Sequence, residues 1–178
     1  MKTLLIDNGS KYTKKLQKLC AADKTIDWQN LDIRQCANYD LIILSGGHLF
    51  PVVSHEKDFK DEIKLIKRLK KPIIGICLGS ELIAHAYGAS LVRMNRKKHG
   101  EIKIRGKGGV FNVYESHRWA IKKLPANLVE IARSKDGVEI FRHKTKPIVG
   151  IQFHPEVLVS KTSGRNLFQN ILNTLSSS

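Results

Sequence analysis

The chain has 178 residues, 42% of them apolar and 26% charged, which is enough for one soluble domain with its own core. No apolar run approaches the roughly 18 residues of a membrane span, and a membrane protein is excluded. With 31 basic against 16 acidic residues the net charge is +15, which suits nucleic acid, nucleotide phosphates or an acidic partner surface.

In chain order, KTLLI (2–6) reads as a first strand. Asp7 and Asn8 interrupt this apolar stretch too early for a signal peptide, so a cytoplasmic protein is expected. SKYTKKLQKLCAA (10–22) places Tyr12, Leu16, Leu19 and Cys20 in a helical stripe, the opening of a βαβ unit. DLIIL (40–44) is continuously apolar and β-branched, as in a parallel strand buried on both faces, and it runs into SGGH. HEKDFKDEIKLIKRLK (55–70) then puts Phe59, Ile63, Ile66 and Leu69 on one face of an amphipathic helix.

PIIGI (72–76) is a second buried strand, and LGSELIAHAYG (78–88) a helix that Gly88 caps. Strand and helix alternate through this half, which argues for an α/β fold with a three-layer, mostly parallel open sheet and flanking helices. From 89 to 153 the pattern changes to short strands between Gly and Asn turns: SLVRM, EIKIR, VFNVY, LVEIARS, GVEIF and PIVGIQF. TSGRNLFQNILNTL (162–175) closes the chain as a helix, with Leu167, Phe168, Ile171 and Leu175 facing inward. No linker or repeat divides residues 1–178, so a single domain is expected.

Cys20, Cys36 and Cys77 form no CxxC pair and no even framework, which argues against disulfides and zinc. His55, His85, His99 and His143 lack metal-ligand spacing and read as surface residues, so neither metal nor cofactor is expected. The basic residues are dispersed. Even the densest clusters, KRLKK (67–71) and RMNRKKHG (93–100), have no interleaved aromatics, which favours a solvated or partner-docking surface over nucleic-acid binding.

Cys20 and Cys36 read as small buried hydrophobes, but Cys77 lies in Gly75-Ile76-Cys77-Leu78-Gly79, the thiol counterpart of a G-x-S-x-G nucleophile elbow. A tight strand-to-helix turn strains the nucleophile's backbone, and flanking glycines let the two elements approach. It also sets the thiol at a helix N-terminus, which favours thiolate, and aims the Leu78 N–H at an oxyanion. GIQFHPEV (150–157) ends a second strand in His154, with Glu156 two residues on to orient the imidazole. LSGGH (44–48) presents backbone N–H groups at a third strand end, from Gly46 and Gly47.

With these motifs in place, the chain resembles the glutamine amidotransferases of the Cys-His-Glu triad type, and among them most closely the amidotransferase subunit or domain of GMP synthase. LLIDNGSKY, LSGG, GICLG, YESH (114–117) and GIQFHPEV carry the likeness, which spans nearly the whole chain. The resemblance implies a class I amidotransferase fold with flavodoxin-like topology. It implies that Cys77 attacks the side-chain amide of glutamine, His154 protonates the departing ammonia and Glu156 supports His154. It further implies that Gly47 and Leu78, with Gly46 in the same loop, hold the oxyanion, and that Ser116 and His117 lie on the substrate side. In that family the ammonia passes to an ATP-pyrophosphatase that aminates XMP. No SGGVDS-like phosphate loop occurs here, so the expected partner is a separate synthetase subunit.

Several positions depart from the family pattern: Glu81 replaces a substrate-contacting glutamine, His48 replaces a proline, and Arg118-Trp119 stand where an acidic residue is usual. A glutamate aimed at Cys77 would raise the thiol pKa, or it would pair with a substrate ammonium. These departures keep two alternatives open, a stand-alone hydrolase of γ-glutamyl amides or peptides and a catalytically silent basic binding protein of the same fold.

Overall fold

The computed structural model describes residues 1–176. Its elements are β1 (Thr3–Asp7), α1 (Thr13–Cys20), β2 (Lys24–Asp27), a 3-10 turn (Trp28–Asn30), α2 (Ile33–Cys36), β3 (Leu41–Leu44), α3 (Lys60–Arg68), β4 (Ile73–Ile76), α4 (Leu78–Ala86), β5 (Ser90–Gly106), β6 (Gly109–Lys123), β7 (Leu128–Arg133), β8 (Val138–His143), β9 (Ile148–Ile151) and α5 (Gly164–Ser176). The strands join in one sheet of order β2-β1-β3-β4-β9-β8-β6-β5-β7.

The first five in that order pair in parallel, and the others pair antiparallel. A mostly parallel sheet therefore describes only the half that holds the α/β alternation. β7 pairs with both β5 and β8, so the antiparallel strands β8, β6, β5 and β7 close into a ring. Open, apolar strands need helices on both faces, whereas the four strands of this ring share one buried cluster, to which each contributes a residue: Ile104, Val113, Ala132 and Ile140.

Sequence explains the parallel half directly. LIIL, IIGI and IVGI are buried at every residue, since β3, β4 and β9 are covered on both faces. Leu65 and Ile66 of α3 and Leu82 and Ile83 of α4 pack with Leu4, Ile6, Ile42 and Leu44 on one face. Leu16 of α1 and Phe168 and Leu172 of α5 pack with Leu5, Ile43, Ile76 and Ile151 on the other. α4 is buried from Leu78 through Ala84, mostly apolar but carrying Ser80 and Glu81 inside with it. It ends as expected, with Gly88 at φ 89° donating its N–H to the His85 carbonyl.

β2 and α2 have no counterpart in the sequence reading, because KTID is a short, half-exposed edge strand and IRQC is one turn long. SLVRM and EIKIR are parts of one strand of 17 residues, and VFNVY continues through the YESH segment to Lys123 in β6. The interruption the sequence shows near Arg93–Lys98 is a register shift within that long pair. His143 is buried rather than superficial, its Nδ1 accepting from the backbone N–H groups of Thr145 and Lys146. No helix among the described residues is long and apolar enough to cross a membrane.

Candidate active site

Cys77 occupies the single residue between β4 and α4, with φ 51° and ψ −106°. For a residue with a Cβ such a backbone is strained by about 1–3 kcal/mol. The surroundings hold it there: the Cys77 N–H donates to the Ile151 carbonyl, and a Cβ on Gly75 would lie 2.4 Å from the Gly79 backbone. Strand and helix thus meet at van der Waals contact only because both flanking residues are glycine.

His154 enters from the end of β9, its own N–H donating to the Tyr114 carbonyl and its ring edge-on to Tyr12 at 5.0 Å. Its Nδ1 lies 2.8 Å from Glu156 Oε1, with both side chains buried. A carboxylate there accepts from Nδ1–H and leaves Nε2 as the basic nitrogen. Gly46 sits between the two strand ends: a Cβ on it would lie 3.0 Å from His154 Cε1 and 3.4 Å from Cys77 Cβ.

The glycine loop is fixed by its neighbours. The Asn8 N–H donates to Ser45 Oγ at 2.8 Å and the Asn8 Nδ2 to the Ser45 carbonyl, so the end of β1 ties down the end of β3. Gly47 is packed so tightly that a Cβ would fall 2.4 Å from both the Asn8 carbonyl oxygen and Leu78 Cδ2. Leu78 is the first residue of α4, whose leading N–H groups have no partner within the helix. The exposed His48 closes the loop from outside, its Nδ1 donating to the Gly9 carbonyl at 2.5 Å. Asn8, Ser45 and Tyr12 stand inside the LLIDNGSKY and LSGG motifs, but the sequence reading gave them no part in the site; only the fold shows what they touch.

A cavity of about 340 Å³ opens on Cys77, within the range of small-molecule sites. Leu78, Glu81, Ser116 and His117 line it with Gly47 and His48, and Arg93, Lys97, Arg118 and Trp119 form much of its wall. Of the residues expected at the site, only Gly46 and the pair His154–Glu156 lie behind this lining.

The electrostatics correct one expectation. The Cys77 thiol is held well above its ordinary value, first by burial, then by the charges of Glu81 and Glu156. The Leu78 N–H pulls the other way without prevailing, so the helix end does not make a resting thiolate. Glu81 is itself buried, and its Oε1 accepts from Gln152 Nε2 at 3.0 Å. Burial pushes its carboxyl up to about 7, against the pull of Gln152 and His117.

On the cavity lining, His117 donates Nδ1–H to the Trp119 carbonyl, and its Nε2 lies 3.1 Å from Glu115 Oε2, too poorly aligned for a hydrogen bond. Burial raises the Glu115 carboxyl and the neighbouring Glu139, which the charge of Glu115 raises further. Gln152 and Glu115 stood inside recognised motifs, yet only the folded chain shows which groups they face.

These buried acids make stability depend on pH. Glu62 on α3 has no close hydrogen bond to either oxygen, and burial lifts its carboxyl from 4.5 to about 8 against a weaker pull from the Asn8 side chain. A carboxyl with a raised folded pKa binds its proton more tightly when folded. Its contribution is full below the unfolded value and is lost as pH rises through about 7 for Glu81 and about 8 for Glu62. The urea midpoint should therefore fall between pH 5.5 and 8.5, and Glu62→Gln should flatten the fall and raise the midpoint at the alkaline end. A wild-type midpoint that holds level or rises over this range would contradict these burials.

A family model described as glutamine amidotransferase class-I matches residues 4–174. The glutamine-hydrolysing GMP synthase subunit of Thermoplasma acidophilum is 32% identical, over 99% of this chain and 94% of its own. The protein of the same description from Methanocaldococcus jannaschii is 33% identical, over 86% and 87%. A crystal structure of a provisionally named GMP synthase subunit from Thermoplasma acidophilum superimposes with TM-score 0.87 at 29% identity, covering 99% of this chain and 95% of that one. A strained cysteine elbow, a glycine loop and a His-Glu strand end thus coincide with a family match over nearly the whole length, and the chain belongs to the glutamine amidotransferase class-I family.

Proposed function

We propose that this chain is a single glutamine amidotransferase domain that hydrolyses glutamine in the cytoplasm and passes ammonia to a separate synthetase subunit, the two together forming a GMP synthase. The observation that carries this reading is the placing of Cys77 and His154 on either side of Gly46, with Glu156 behind the imidazole.

In the first half-reaction the Cys77 thiol gives its proton to His154 Nε2 as Sγ bonds to the amide carbon of glutamine. The N–H groups of Gly47 and Leu78 receive the oxyanion. When the tetrahedral adduct collapses, the carbon–nitrogen bond breaks and the leaving nitrogen takes the proton from His154, departing as ammonia. A γ-glutamyl thioester remains on Cys77. In the second half His154 takes a proton from water, the hydroxide adds to the thioester carbonyl, and the carbon–sulfur bond breaks to release glutamate. The sulfur recovers its proton from His154, which Glu156 has held in one tautomer throughout. The net charge of +15 would serve to dock the synthetase.

The test is ammonia release from glutamine, with and without an ATP-pyrophosphatase synthetase and XMP. Hydrolysis that rises when the synthetase and XMP are added is the expected result. Cleavage of γ-glutamyl peptides without any partner would favour the stand-alone hydrolase instead. No turnover of any amide, with salt-sensitive binding of nucleic acid, would leave a binding protein.

A further inference from the structure

The cavity over Cys77 has an uneven charge lining. Glu81 is its only carboxylate, while Arg93, Lys97 and Arg118 all reach it. None of these three cations pairs with a carboxylate among the described residues, whose ion pairs are Lys98–Asp136, His117–Glu115, Arg133–Glu130 and His154–Glu156. Gln152 engages only Oε1 of Glu81, and the carboxylate faces the cavity with its other oxygen uncommitted.

Spacing matches this division to an amino acid. Glu81 stands four residues beyond Cys77, about one helical turn of roughly 5.4 Å along α4. Glutamine separates its reacting amide carbon from its α-carbon by three bonds of about 1.5 Å. An amide held at Sγ therefore carries its α-ammonium to the level of Glu81, and its α-carboxylate toward the wall. We infer that Glu81 is the counter-ion for the α-ammonium of glutamine and that Arg118, with Arg93 beside it, takes the α-carboxylate, so the pocket reads both charges of the free amino acid.

This assignment rests on the glutaminase reading above and gives it a switch. Before substrate binds, the charge of Glu81 helps to hold the thiol in its protonated form. An ammonium seated on Glu81 offsets that charge, so the arrival of the right substrate eases proton transfer from Cys77 to His154. Substrates that lack the ammonium meet a less reactive thiol as well as a missing contact.

Three amides separate the outcomes: glutamine, glutaramate (glutamine without its α-ammonium) and the α-methyl ester of glutamine. The protein, with its synthetase present, should prefer glutamine over glutaramate by about 100-fold in kcat/KM, the scale of a missing buried charge contact. Glu81→Gln should bring that preference to within a few-fold by lowering glutamine while sparing glutaramate. Arg118→Ala, at an exposed position, should shrink the preference for glutamine over its ester by about ten-fold or more. Equal losses on all three amides would overturn the assignment while leaving the glutaminase standing. Ammonia from none of them with the unaltered protein would overturn the glutaminase reading and the assignment with it.

Discussion

Cys77→Ala should reduce ammonia release from glutamine by roughly ten thousand-fold or more, because it removes the atom that forms the acyl bond and nothing nearby can replace it. The fold should survive the change. Cys77 is a buried side chain whose backbone carries the strain at φ 51°, and alanine keeps the Cβ and the N–H bond to Ile151 while leaving little extra space. Thermal unfolding should therefore move by only a few degrees, for a change of about 1 kcal/mol. Acid quenching during turnover should trap a γ-glutamyl adduct on the unaltered protein and none on Cys77→Ala. Full activity in Cys77→Ala would end the thioester mechanism.

Glu156→Gln should cost nearly as much as His154→Ala, roughly a thousand-fold or more in kcat for each. The replacement is almost isosteric, so the loss comes from proton placement. A buried carboxylate 2.8 Å from Nδ1 can only accept, which leaves the hydrogen on Nδ1 and the lone pair on Nε2. A glutamine amide can donate instead, and the imidazole then carries its hydrogen on Nε2, where the proposed mechanism sends the Cys77 proton. Because the two residues act as a unit, the double variant should be barely worse than either single one. A Glu156→Gln enzyme within a few-fold of the parent rate would show that Glu156 only fills space.

How much of this could be read beforehand depended on the range of the interaction. The elbow was legible because its constraint is local: Gly75 and Gly79 must flank Cys77 for β4 and α4 to touch, and no other residues fit. His154 and Glu156 were legible for the same reason, sitting two residues apart at the end of an apolar strand. The environment of Glu81 was not. Its burial, its bond to Gln152 and its pressure on the thiol depend on β9 lying beside β4, a pairing between residues more than seventy positions apart. The thiol's protonation went the wrong way on the same account, since a helix end is visible in sequence and burial is not. The long pair β5–β6 was broken up because exposed basic residues around Arg96 interrupt its apolar alternation.

The position of β9 also bears on the order in which the protein can be made. β9 is the last strand in the chain, yet it lies in the middle of the sheet, between β4 and β8. A growing chain that has not yet reached Ile148 leaves the apolar edge of β4 unpaired, and the two halves of the sheet unjoined. It also lacks His154, which the proposed mechanism needs beside Cys77. The assembly of that proposed pair and protection from aggregation thus come in the same late step, when one short strand slots home.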